Sequence, residues 1–221
     1  MIMMGLSLCC LAGCGERELS TDKSASEESP IVKAIQKNMV EIPGASYKMG
    51  KTEVTQTQWE RVMGKNPSRF EGADRPVENV SWDDCLLFIQ KLNEMSKNVK
   101  FRLPTEEEWE YCCRAGSKGD WGKRANGEEG PLEAMGWYDK NSGRETHPVA
   151  QKEPNAWGLF DMHGNVWEWC EDQWKPGFSK RVRRGGGWYN GAGSCSASCR
   201  DDYTPGDRSS NRGFRLAASQ D

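Results

Sequence analysis

From Val40 the chain reads VEIPGASYKMG, with short apolar runs on either side of a Pro-Gly pair. That pattern predicts a strand, a tight turn and a second strand. Thr55 then caps a helix in TQTQWERVMG, which Gly64 ends before the turn KNPSRF; Trp59, Val62 and Met63 form its apolar stripe. The next segment, RPVENVSWDDCLLFIQKLNEM, is the clearest helix. Trp82, Cys85, Leu86, Ile89 and Leu92 recur at helical spacing, and Ser81 with Asp84 makes a capping box. A third helix follows in FRLPTEEEWEYCCRAG, boxed by Thr105 and Glu108 and stopped at Gly116. Trp109 and Cys113 lie one turn apart on its inward face.

Beyond Gly116 helical periodicity disappears, and glycines and prolines separate short aromatic runs. Long loops in a compact domain need something to order them: bound metal, disulfides or local cores of aromatic side chains. The ten tryptophans of this 221-residue chain suit the last of these, because each buries a large area and seeks a partner for its indole N–H. With 36% hydrophobic and 29% charged residues, the chain has material for one globular domain and some extension. Its net charge of -3, with no basic face beyond Lys180 to Arg184, argues against a nucleic-acid partner.

The first residues, MIMMGLSLCCLAGCGERELS, hold an apolar run too short to span a bilayer. It reads as an export signal over residues 1–14. Leu11-Ala12-Gly13-Cys14 resembles a bacterial lipobox, with Cys14 as the lipidated residue, although no basic residue precedes the apolar run. Residues 15–39, which open on a stretch rich in Ser, Glu and Lys, are expected to form a flexible tether, and 40–221 the domain. The chain is thus expected to be an exported lipoprotein, anchored to a membrane through lipid and acting as a monomer. Cys85, Cys112, Cys113, Cys170, Cys195 and Cys199 would then face an oxidising compartment.

GLFDMHGNVWEW, Gly158 to Trp169, carries the densest chemistry. Asp161 and Glu168 flank a glycine turn, and carboxylate and carbonyl oxygens at such spacing suit calcium. The competing reading is a strand in which Trp167 and Trp169 alternate with a solvent-facing Glu168. His147 and His163 are too few and too far apart for a zinc site. Cys195 and Cys199 form C-x-x-x-C, which is not a thioredoxin-like redox motif. On a strand they would share a face about 13 Å apart, so each would have a separate partner, with Cys113 a candidate for one of them.

Six ordered segments, EVTQTQWERVMGKNPSRF, RPVENVSWDDC, FRLPTEEEWEYCCRAG, THPVAQKEPNAWGLFDMHGNVWEW, RVRRGGGWYN and NRGFRLA, resemble the formylglycine-generating enzymes, or sulfatase-modifying factors. The resemblance implies an α+β, C-type-lectin-like fold with little regular secondary structure and bound calcium. It further implies an oxidase that uses oxygen and copper to convert a sulfatase cysteine to formylglycine, making a sulfatase or other cysteine-containing polypeptide the partner. Calcium would be held by Asp161, Gly164, Val166 and Glu168, and a disulfide would join Cys113 to Cys199. Cys195 falls on the second of the family's two copper-holding cysteines.

The first of those two positions is Asn190, and a carboxamide cannot replace a thiolate for Cu(I), so a copper cofactor is in doubt. Gly187 replaces the usual serine and Gly191 a polar residue. Tyr47-Lys48-Met49-Gly50 also runs straight into Lys51-Thr52-Glu53-Val54-Thr55, where the family has a further strand, so an exposed sheet edge is expected. Two readings follow: an oxidase with Cys195 as its redox residue, or a non-catalytic, calcium-stabilised lectin-like binding domain on a lipid anchor.

Overall fold

The computed structural model describes Met1 and residues 27–220. The expected leader, Cys14 and most of the expected tether lie outside the described residues. Within the described part, helix α1 spans Pro30–Lys37, inside the stretch read as tether. Pro30 pre-sets its first turn, and Ile31, Val32 and Ile35 on one face are buried against the core. The ordered domain therefore begins before Val40, and the tether reading is corrected over residues 30–39.

The three expected helices form on their capping boxes. In α2 (Gln56–Met63) the Thr55 hydroxyl accepts from the Gln58 N–H while the Gln58 side chain accepts from the Thr55 N–H. Ser81 with Asp84 starts α3 (Trp82–Met95), and Thr105 with Glu108 starts α4 (Glu106–Arg114), each satisfying amides that a helix leaves orphaned. Glu108 also makes a bidentate pair with Arg102 at 2.6 Å, tying the start of α4 to strand β3 (Val99–Arg102).

Strands β1 (Met39–Glu41) and β2 (Tyr47–Gly50) make the expected hairpin. The sheet order is β1-β2-β10-β3, all antiparallel, with the C-terminal β10 (Ala217–Gln220) inserted between β2 and β3. β2 is thus paired on both sides rather than exposed as an edge. A short helix α5 (Leu132–Met135) leads into β4 (Gly136–Trp137), which pairs in parallel with β5 (His163–Gly164). The second four-stranded sheet runs β8-β7-β6-β9, built from β6 (Trp167–Gln173), β7 (Arg181–Arg184), β8 (Arg200–Tyr203) and β9 (Arg212–Gly213). None of the described helices is long and apolar enough to cross a membrane.

The first core lies under α1, α2 and α3, where Trp59 stacks on Phe88 at 5.2 Å and Phe214 meets both rings edge-on. The second lies behind α4 and packs Trp109, Cys112, Cys113 and Cys170 with Met162 and Val182. The buried cysteines serve there as small hydrophobes.

If α1 belongs to the core, Ile35→Ala should lower unfolding free energy by about 2 kcal/mol or more. Urea denaturation checks this; an unchanged midpoint would return residues 30–37 to the tether.

Candidate functional site

After β7 the chain enters Arg184-Gly185-Gly186-Gly187-Trp188, and Gly185 and Gly186 take left-handed φ values of 93° and 74°. A Cβ on Gly186 would lie 2.6 Å from the Cys195 sulfur, so only glycine allows the two segments to approach this closely. The loop is pinned to its neighbours by main-chain bonds. The Gly164 N–H donates to the Gly185 carbonyl at 2.7 Å, and the Trp188 N–H to the Asn165 carbonyl at 2.8 Å.

Asn190 sits at the end of this loop, and its side-chain oxygen accepts from the Trp167 indole at 2.9 Å. The Asp139 N–H donates to the Asn190 carbonyl. Cys195 ends a 3-10 turn, Ala192–Cys195, and is fully buried in a small cluster with Leu132 and Tyr138. Burial first, then the charges of Cys199 and Asp139, pushes its thiol up to about 12. The segment is a turn rather than the strand on which the 13 Å separation of Cys195 and Cys199 was reckoned. Cys113 and Cys199 are free thiols, so the expected disulfide between them is not formed. Cys113 instead packs its sulfur against the Met162 carbonyl and the His163 ring.

His163, on β5, is an internal tie. Its Nε2 accepts from the Gly122 N–H at 3.0 Å and its Nδ1 donates to the Cys195 carbonyl at 2.8 Å. Those two partners fix the neutral tautomer, since a protonated Nε2 could not accept. Complete burial lowers its pKa to about 4, opposed by the hydrogen bond to the Cys195 carbonyl and assisted by the charge of Arg215. His147 stacks on Trp137 at 3.8 Å between ring centroids.

Of the four residues expected to hold calcium, Glu168 is turned to a different partner in this arrangement. Glu168 is indeed on a strand between two tryptophans, but it is buried rather than solvent-facing. Its two oxygens accept from Nε and Nη2 of Arg215 at 2.6 Å each, and one also accepts from the Trp109 indole. A guanidinium already supplies the positive charge there. Asp161 accepts from the Ala150 N–H and keeps one buried oxygen without a partner, as Glu53 does with both. Among the described residues no three His, Cys, Asp or Glu side chains converge as a metal site.

Outside the triple-glycine loop lies an open groove of about 640 Å³ lined by Arg69, Asp139, Arg144, Trp188 and Tyr189. Trp188 is its fixed wall, because the indole donates to the Ser210 carbonyl at 2.9 Å and Phe70 meets the ring edge-on at 5.4 Å. Tyr189 is 49% exposed. Sequence reasoning stopped at the glycines and cysteines and missed this surface. Its one local signal was the Trp-Tyr pair following the glycines.

A model of the sulfatase-modifying factor enzyme 1-like domain matches residues 11–220. The chain belongs to that family. Its relatives include the chaperone protein LppX of Paenibacillus barcinonensis, 30% identical over 80% of this chain and 81% of the relative. The formylglycine-generating enzyme of Mus musculus is 32% identical over 72% of this chain. The inactive C-alpha-formylglycine-generating enzyme 2 of Mus musculus is 35% identical over 73% of it. This family member spans about half the length of those two mouse proteins, 48% and 54%. Among solved structures, Treponema denticola variable protein 1 shares the fold with a TM-score of 0.70 and 31% identity, over 82% of this chain and 91% of that one. The family's α+β, C-type-lectin-like fold is therefore that of this member.

His163 gives the family member a specific acid sensitivity. Its folded pKa lies below the ordinary 6.5, so the unfolded chain binds the proton first and stability is lost as pH falls from 6.5 toward 4. The full difference corresponds to about 3 kcal/mol. Urea unfolding at pH 7 and pH 5 should therefore show a larger loss for the wild type than for His163→Gln. Equal losses would mean that His163 is not held neutral.

Proposed function

We propose that this family member is a binding protein rather than an oxidase, and that it holds a polypeptide in the groove walled by Trp188 and Tyr189. The observation that carries this reading is the state of the two positions where the family resemblance puts copper. Asn190 offers an oxygen already bonded to Trp167, and Cys195 is a buried, neutral thiol. Copper coordination and oxygen chemistry need thiolates that can be deprotonated and reached. These two residues do not fit copper.

The groove supplies what recognition needs instead: two aromatic faces, cationic and anionic side chains, and a floor held by main-chain bonds. A polypeptide partner is in keeping with the relatives, one named a formylglycine-generating enzyme, one its inactive counterpart and one a chaperone. A sulfatase or another cysteine-containing polypeptide is the partner class the family suggests. The lipobox-like Leu11-Ala12-Gly13-Cys14 would export the protein and hold it at a membrane, where a tethered binding domain meets its partner at raised local concentration.

Incubation with copper, air and a sulfatase-motif peptide tests the proposal. The peptide mass should stay unchanged after incubation with wild type and with Cys195→Ser alike. Conversion of the peptide cysteine by the wild type, lost in Cys195→Ser, would restore the oxidase reading.

A further inference from the structure

The groove carries a charge balance that the chain as a whole does not. The protein is net negative at -3, yet the groove sets the guanidiniums of Arg69 and Arg144 against the single carboxylate of Asp139. Among the described residues neither arginine makes an ion pair, although each has an acid close by in the sequence. Glu145, next to Arg144, pairs with Arg75 at 3.4 Å. Glu78, beneath the loop of Arg69, accepts from the main-chain N–H groups of Arg69 and Phe70. Neither Glu145 nor Glu78 forms an ion pair with these arginines, and both guanidiniums line the groove.

Their positions are fixed rather than incidental. The Arg69 guanidinium lies over Phe70 at 5.1 Å, and Phe70, Trp188 and Tyr189 follow edge to face, so a basic group and an aromatic strip are contiguous. Arg144 has φ 67, a left-handed conformation uncommon outside glycine, asparagine and aspartate. Its N–H donates to the Ser142 hydroxyl, which in turn donates to the Trp188 carbonyl at 2.6 Å. The turn that presents Arg144 is thereby tied to the groove's own wall.

Resting on the polypeptide reading above, we infer that this groove selects an acidic segment, one in which aspartate or glutamate flanks an apolar or aromatic side chain. The apolar residue packs on Trp188 and Tyr189 while the carboxylate meets Arg69 and Arg144, which can grip it through paired N–H donors. Asp139 is then the repulsive element that disfavours further carboxylates in the groove.

Selection of a randomised phage-displayed peptide library on the full chain tests this. Enriched sequences should carry aspartate or glutamate beside an apolar residue. The resynthesised peptide should bind roughly tenfold more weakly to Arg69→Gln/Arg144→Asn than to wild type, and more weakly at high salt. Replacing its acids by Asn or Gln should erase the difference between the two proteins. Enrichment of sequences without acids, whose binding still falls on Tyr189→Ala, would overturn the acidic selectivity and leave the polypeptide reading standing. No enrichment, or binding indifferent to Tyr189→Ala, would overturn the polypeptide reading itself. Both arginines are exposed, so unchanged thermal unfolding of the double variant separates lost binding from lost fold.

Discussion

Glu168 and Arg215 form an ion pair from which water is wholly excluded, and separate stretches of the chain converge on it. Arg215 donates to the carbonyls of Gly50, at the end of β2, and Phe160, in the loop before β5. Glu168 accepts from Trp109 of α4. The two sheets, α4 and the loop leading to His163 are thus held in one register by a single pair of charges. Such a pair gains little over a hydrophobic replacement, but losing one partner strands a buried charge at a cost of about 3 to 5 kcal/mol. Its value lies in specifying the arrangement. Glu53 and Asp161 lie within its field, and burial pushes both carboxyls up, with Glu53 raised well above the ordinary carboxylate range. One guanidinium faces three buried carboxylates, and their mutual repulsion adds to burial in raising Glu53.

Much of the fold was legible because it is local. Thr55, Ser81 and Thr105 each announce a helix by a partner three residues on, and the structure uses every one of those boxes. The six ordered motifs carried the family, which the match over residues 11–220 bears out. Helix α1 was missed because the stretch that precedes it is rich in charge, and its short apolar set, Ile31, Val32 and Ile35, gains meaning only once a core exists to receive it. The central place of β10 is a pairing between chain ends, invisible to any window of sequence.

The site was legible only in its chemistry, not its geometry. The family resemblance singled out Asn190 and Cys195 as the informative positions, and both lie on the segment that follows Trp188. It could not show that Glu168 would face Arg215, since forty-six residues separate them in the chain and only the fold joins them. Nor could it show that Cys195 would be sealed beneath Gly186. The groove escaped notice for a similar reason: Arg69, Arg144 and Trp188 come from distant segments, and unpaired charge is visible only when every other partner has been placed.

Asn190 stands where the family resemblance puts the first of two copper-holding thiols, and it has a role of its own. Its carboxamide does more than occupy a cysteine's place, because Trp167 now depends on that oxygen as the acceptor for a buried indole N–H. A cysteine there would offer a weaker acceptor, and an unmet buried donor costs about 1 to 3 kcal/mol. The other half of the site is equally committed, since His163 and Gly186 hold the backbone and sulfur of Cys195 in a closed turn. A pair of accessible thiols at these two positions would therefore require repacking around Trp167 and opening the turn at Cys195, not one substitution. Trp188 is held still by bonds of its own, from its indole to the Ser210 carbonyl and from its main-chain N–H to the Asn165 carbonyl, and a rigid aromatic wall beside two guanidiniums suits the proposed binding groove.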